Sequence, residues 1–255
     1  MPESLREAIR RAATSPRLLS CWDFDGTLAP IVSDPQAARP LPGSVLLLQR
    51  LAELPDTEVA LLSGRARRDL AQLSGAVDPV LQIGCHGAEL PAQLAGTSAG
   101  GDADLLQRVL TSVEQITSGA DGALLETKPV SVAVHVRNVT DRQRAHRITE
   151  EVIAGPGSWS GVHITTGKEV VELSVARGDK GAAISLLRER FHADLVTFVG
   201  DDVTDERGFA VLSGDDVGVK VGDGETAASF RVANPDIVME VLELLLVQRS
   251  KSVVG

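Results

Sequence analysis

The 255-residue chain has no tyrosine, and aromatic residues make up only 3% of it. That scarcity argues against a surface that stacks exposed bases. Basic residues are in the minority as well, Lys+Arg 25 against Asp+Glu 35, for a formal net charge of −10. A general nucleic-acid binder, which needs concentrated Lys and Arg to meet phosphate, is therefore not expected. There are two cysteines, Cys21 and Cys85, too few for a disulfide framework. Both sit in apolar runs and read as buried, reduced thiols of a cytoplasmic protein. No apolar run approaches the ~18 residues of a membrane helix. The first 16 residues mix Arg with Glu and lack the apolar centre of a signal peptide. What remains, 43% hydrophobic and 24% charged, is ordinary for a soluble globular chain of one or two domains.

Short apolar runs alternate with helical spacing, the pattern of an α/β protein with a mostly parallel sheet. Buried strands are expected over residues 18–24, 58–62, 80–85, 195–199 and 217–221, and helices over 44–54, 180–191 and 235–247. The middle differs. Residues 96–101, Gly-Thr-Ser-Ala-Gly-Gly, read as a flexible linker. Then come a helix (104–117), strands (124–127, 130–137), a second helix (141–153) and two more strands (162–165, 169–175). This αββαββ order predicts a small α+β domain, 96–175, inserted into a discontinuous core formed by 1–95 and 176–255. Alternation along its strands places Val130, Val132, Val134 and Val136 on one face and Ser131, Ala133, His135 and Arg137 on the other. Lys168, Val170, Glu172 and Ser174 form a similar polar face, expected to stay open. A solvated face is the ordinary outcome for an antiparallel sheet; a ligand-binding one needs something suited to it opposite.

Chemistry concentrates at strand ends. Asp23-Phe24-Asp25-Gly26-Thr27 follows the first apolar run, where α/β folds build their sites. Two carboxylates so placed suit a divalent cation with oxygen ligands. Gly200-Asp201-Asp202-Val203-Thr204-Asp205 follows another such run, and its acids repel one another unless a cation neutralises them. One of them also suits a helix N-cap. Ser63-Gly64-Arg65 ends a third strand with a hydroxyl and backbone N–H groups suited to a phosphate oxygen. Lys180 opens a helix, a position the dipole disfavours for a cation unless it faces anions.

In this order the four pieces resemble the haloacid dehalogenase superfamily of aspartyl-phosphate phosphotransferases, with the insert similar to that superfamily's type C2B cap. The resemblance implies a Rossmann-like core. Narrower features resemble the trehalose-6-phosphate phosphatases: Gly200-Asp-Asp-Val-Thr-Asp-Glu206, Cys85-His86-Gly87-Ala88-Glu89, the run from Glu126 and Lys128 to His135-Val136-Arg137, Gly167-Lys168 with Glu172, and the loop from Lys220 to Thr226. The match departs at Val136 and at Leu173-Ser174-Val175.

The resemblance implies Asp23 as nucleophile and Asp25 as acid and base. It implies Ser63 and Lys180 on the transferring phosphoryl group, and Mg²⁺ held among Asp23, Asp25, Asp201, Asp202 and Asp205. Gly26, Thr27, Gly64, Arg65, His86, Glu89, Lys128, His135, Arg137, Lys168 and Glu172 become substrate-binding candidates. The implied partner is a phosphosugar, with the chain acting as a monomer and with neither nucleic acid nor membrane. Other phosphosugars (sucrose phosphate, mannosyl-phosphoglycerate), a phosphomannomutase-like transfer and a non-catalytic phosphosugar binder stand as alternatives.

Overall fold

The central strand, β1 (Leu18–Asp23), is buried along its whole length, so it must sit inside a sheet covered on both faces. The computed structural model, which describes residues 1–32, 34–91, 94, 102–167, 169–176 and 178–254, shows that sheet. Its other strands are β2 (Thr57–Leu62), β3 (Leu81–Ile83), β8 (Leu195–Gly200), β9 (Val217–Val221) and β10 (Phe230–Val232), in the order β10-β9-β8-β1-β2-β3. All neighbours are parallel. Ser20 and Thr197 share a buried hydrogen bond of 2.8 Å that ties β1 to β8, and the Trp22 indole donates to Ser20.

The expected α/β architecture holds. Helices α2 (Ser44–Ala52), α3 (Arg67–Ser74), α6 (Lys180–Phe191), α7 (Glu206–Ala210) and α8 (Pro235–Val254) surround the sheet. Two longer helices were not among the expectations, α3 and α1 (Glu3–Ala13), and α1 buries Leu5, Ala8, Ile9 and Ala12, spaced at i, i+3, i+4 and i+7, against the core. The expected strand at 80–85 is cut to Leu81–Ile83, because Cys85 and His86 take positive φ and end the ladder. Cys21 and Cys85 are both buried and free. Among the described residues no helix is long and apolar enough to cross a membrane.

A second compact unit spans Ala92–Gly178, the first comprising Met1–Pro91 and Asp179–Gly255. It contains α4 (Ala103–Thr117), β4 (Leu124–Lys128), β5 (Ser131–His135), α5 (Arg142–Ala154), β6 (His163–Gly167) and β7 (Val170–Ser174). The strands form an antiparallel sheet ordered β4-β5-β7-β6. Its apolar face, Val132, Val134, Val171 and Leu173, packs with Leu105, Val109, Ile148 and Val152 of the two helices. The linker expectation at 96–101 lies outside the described residues.

Candidate functional site

Parallel strands β1, β2 and β8 bring their carboxyl ends side by side, with Asp23 in register with Leu62 and Trp22 with Val199. Asp23 therefore emerges between Ser63 on one side and Asp201 on the other. Its side chain is almost wholly buried, at 5% exposure. Lys180 extends from the first turn of α6, capped by Asp179, whose carboxylate accepts from the N–H groups of Gly181 and Ala182. The buried Lys180 ammonium donates to Asp23 Oδ1 at 2.5 Å and to Asp205 Oδ1 at 2.6 Å. Anions, not the dipole, thus explain a cation at this helix start. Burial works against that charge, but Asp23 and Asp205 outweigh it and hold the lysine above its ordinary range.

Asp205 is wholly committed: its second oxygen accepts from the main-chain N–H groups of Asp201 and Asp202, each at 2.9 Å. Asp201 comes close to β1 because residue 26 is glycine. Gly26 holds φ +83°, and a Cβ there would fall inside the Asp201 carboxylate. One oxygen each from Asp23, Asp201 and Asp205 lies within 4.8 Å of the others. Burial, followed by the charge of Asp205, pushes Asp201 up to about 6. Burial also raises Asp23, opposed by Lys180. An all-oxygen, mutually repelling donor set of this kind fits a hard divalent cation.

Asp25, implied as a metal ligand through its main-chain carbonyl, and Asp202 both keep their carboxylates outside that group. The Asp25 carboxylate takes a two-pronged grip from Arg65, Nε to Oδ2 and Nη2 to Oδ1, both at 2.6 Å. Asp202 is exposed and caps the following turn, accepting from the Val203 N–H at 2.6 Å. The helix-cap expectation thus falls to Asp202 and the cluster to its neighbours. Arg65 also lies 5.9 Å above the Phe24 ring, so the guanidinium is fixed from two sides.

Ser63 is buried at the end of β2, its hydroxyl accepting from the Arg65 N–H at 3.1 Å. Its main-chain carbonyl accepts from the His86 N–H at 2.8 Å. His86 lies in the left-handed region, with its ring against Gly64 where no side chain fits. Glu89 accepts from the Arg67 N–H at 2.6 Å. These contacts make His86 and Glu89 supports for the loop that carries Ser63. Thr27 is buried, with its hydroxyl 3.5 Å from Asp201.

In the inserted unit, Glu172 accepts from Lys128 at 3.1 Å and from the Ser131 hydroxyl at 2.6 Å. His135 pairs with Glu126 at 3.1 Å, while Arg137 lies 3.8 Å from Glu169. The polar face is less open than its sequence pattern implies, since Ser131 and Ala133 are buried. Lys168 lies outside the described residues. One contact went unassigned in the sequence: Lys220 of β9 donates to the Asp201 carbonyl.

The model of one protein family, trehalose-phosphatase, matches residues 21–236, the stretch that carries every side chain of the candidate site. The chain belongs to the trehalose-phosphatase family. It is 35% identical to the trehalose-phosphate phosphatase of Mycobacterium ulcerans, over 98% of this chain and 67% of that protein. It spans 57% of the length of the Mycobacterium leprae relative. Among solved structures it is similar to Aspergillus fumigatus trehalose-6-phosphate phosphatase, with a TM-score of 0.65, 26% identity and coverage of 94% and 97% of the two chains. A haloacid dehalogenase-like hydrolase from Bacteroides thetaiotaomicron shares the fold at a TM-score of 0.61 and 14% identity, covering 89% of this chain and 99% of that one. The haloacid dehalogenase fold and the class of phosphoric monoester hydrolase, both implied by the family resemblance, hold for this trehalose-phosphatase family member.

Proposed function

We propose that the chain hydrolyses trehalose 6-phosphate to trehalose and phosphate through an aspartyl-phosphate on Asp23, with Mg²⁺ as its metal. The observation that carries the reading is the buried Asp23 carboxylate, held by Lys180 at 2.5 Å and grouped with Asp201 at the carboxyl end of the sheet. Asp23 attacks phosphorus, forming the Asp23–phosphorus bond as the bond to the sugar oxygen breaks. Asp25 gives that oxygen a proton, then takes one from the water that releases phosphate and restores the carboxylate. Because Arg65 occupies both Asp25 oxygens, one of its N–H groups must let go before the proton moves. Ser63 and Lys180 bind the phosphoryl oxygens as charge redistributes over them. A divalent cation held by Asp23 and Asp201 would neutralise part of that charge. A phosphate-release panel over trehalose 6-phosphate, sucrose phosphate, mannosyl-phosphoglycerate and glucose phosphates, with and without Mg²⁺, tests substrate and metal together. Preference for another sugar, or undiminished turnover after exhaustive chelation, refutes the corresponding half.

The metal also has a stability signature. Asp201 at about 6 lies above its ordinary value of 3.8, so between those values the folded, chelated protein holds a proton that the unfolded chain releases. The contribution of Asp201 to the stability of the chelated protein therefore falls as pH rises from about 4 to about 6. Mg²⁺ binds the ionised form, so its stabilisation grows over the same window and reaches roughly 5 °C or more in Tm at about a hundredfold excess over its Kd. A Tm that ignores Mg²⁺ at pH 7 would contradict the assignment.

Arg137, Lys168 and Glu172 of the inserted unit are assigned to the sugar, because polar side chains suit a hydroxyl-rich ligand and discriminate against one that lacks the hydroxyls. Arg137→Ala, Lys168→Ala and Glu172→Ala should each lose about 1–3 kcal/mol of transition-state stabilisation on the sugar phosphate. A small aryl phosphate should be cleaved as before. Equal losses on both substrates would return these residues to a folding role.

A further inference from the structure

Two lysines are buried among the described residues, Lys180 and Lys220. The mechanism uses the first and leaves the second without a role. Lys220 stands on β9 in register with Gly200 of β8, one residue before Asp201, and is only 4% exposed. Its Nζ donates to the main-chain carbonyl of Asp201, with Glu206 Oε1 at 3.7 Å. Glu206 in turn accepts from the Ala227 N–H at 2.8 Å, tying the loop after β9 into the same network.

Burying an ammonium is expensive, and a carbonyl alone needs no more than a neutral donor. The charge makes sense beside the acids. Both main-chain groups of Asp201 are then pinned, its N–H by Asp205 and its C=O by Lys220. With the peptide held at both ends and Gly26 leaving room, the carboxylate has its direction set before any ligand arrives.

We propose that Lys220 is a positioning residue for the divalent cation, orienting Asp201 through its main chain and offsetting the repulsion among Asp201, Asp205 and Glu206. The inference rests on the reading that Asp201 helps to hold Mg²⁺. It is tested by calorimetric titration of Mg²⁺ into the chelator-stripped parent, K220M and K220R, alongside steady-state kinetics at saturating Mg²⁺. K220M should bind Mg²⁺ about tenfold more weakly, as is usual when a group supporting a metal ligand is lost, and K220R should stay within about threefold of the parent. At saturating Mg²⁺ the KM of K220M for the sugar phosphate should stay within about twofold of the parent, because Lys220 acts on the metal end of the site. Where K220M does not fold, K220Q keeps a neutral donor and should still bind at least about threefold more weakly. Parental Mg²⁺ affinity in the folded neutral variant, whatever its Tm, overturns the inference and leaves Lys220 as a carbonyl partner only. A parent that binds no Mg²⁺ would instead sink the metal reading on which the inference stands.

Discussion

Asp23→Asn should reduce turnover of trehalose 6-phosphate by about a thousandfold or more, the usual consequence of removing a covalent nucleophile. The amide keeps the shape of the side chain but lacks the lone-pair basicity that forms the bond to phosphorus. The fold should survive. Asp23 is buried among acids, and its charge is compensated chiefly by Lys180, which keeps Asp205 as a partner at 2.6 Å. The Tm of metal-free Asp23→Asn should therefore stay within a few degrees of the parent's, while its response to Mg²⁺ shrinks because one cation ligand is gone. Circular dichroism and phosphate release on the same preparation check both statements. Near-parental turnover in the folded variant would rule out an aspartyl-phosphate at this position.

Arg249→Met should cost about 3–5 kcal/mol of folding free energy without touching the chemistry. Arg249 is 1% exposed on α8, and among the described residues no carboxylate is one of its hydrogen-bond acceptors. Its guanidinium donates to the Thr57 hydroxyl at 2.8 Å and to the carbonyls of Ala13, Ser15, Pro16, Pro55 and Asp56. Those groups belong to the segments entering β1 and β2, so one side chain satisfies the backbone where both strands begin. Methionine fills the volume but leaves the carbonyls desolvated and unpaired. Because they sit at the amino ends of the strands, away from Asp23, kcat measured well below the variant's Tm should match the parent within about twofold. Denaturant midpoints provide the measurement. A loss under about 1 kcal/mol would mean that water replaces the guanidinium at little cost.

Much of this molecule follows from local pattern. Strands buried on both faces show as continuous apolar runs, so residues 217–221 emerge with the bounds that β9 has. The bounds of α6, 180–191, follow likewise, with Asp179 capping its start. The acids, the serine and the lysine of the site are legible because they directly follow such runs or open such a helix. Side-chain partners are another matter. Asp25 sits in the same short motif as Asp23, yet it faces Arg65, because β2 is the neighbour of β1 and brings Arg65 beside it. Lys220 meets Asp201 only because β9 is the neighbour of β8. Likewise, the apolar pattern of the last helix ends at residue 247, whereas α8 continues to Val254 and carries Arg249 into a cage of carbonyls far away in sequence. Periodicity reports which face of a segment avoids water; the identity of the groups across that face is set by the order in which the segments assemble. Tertiary structure therefore decided the pairing of Asp25, Lys220 and Arg249, while the sequence by itself determined the central strands, their terminal acids and the family they belong to.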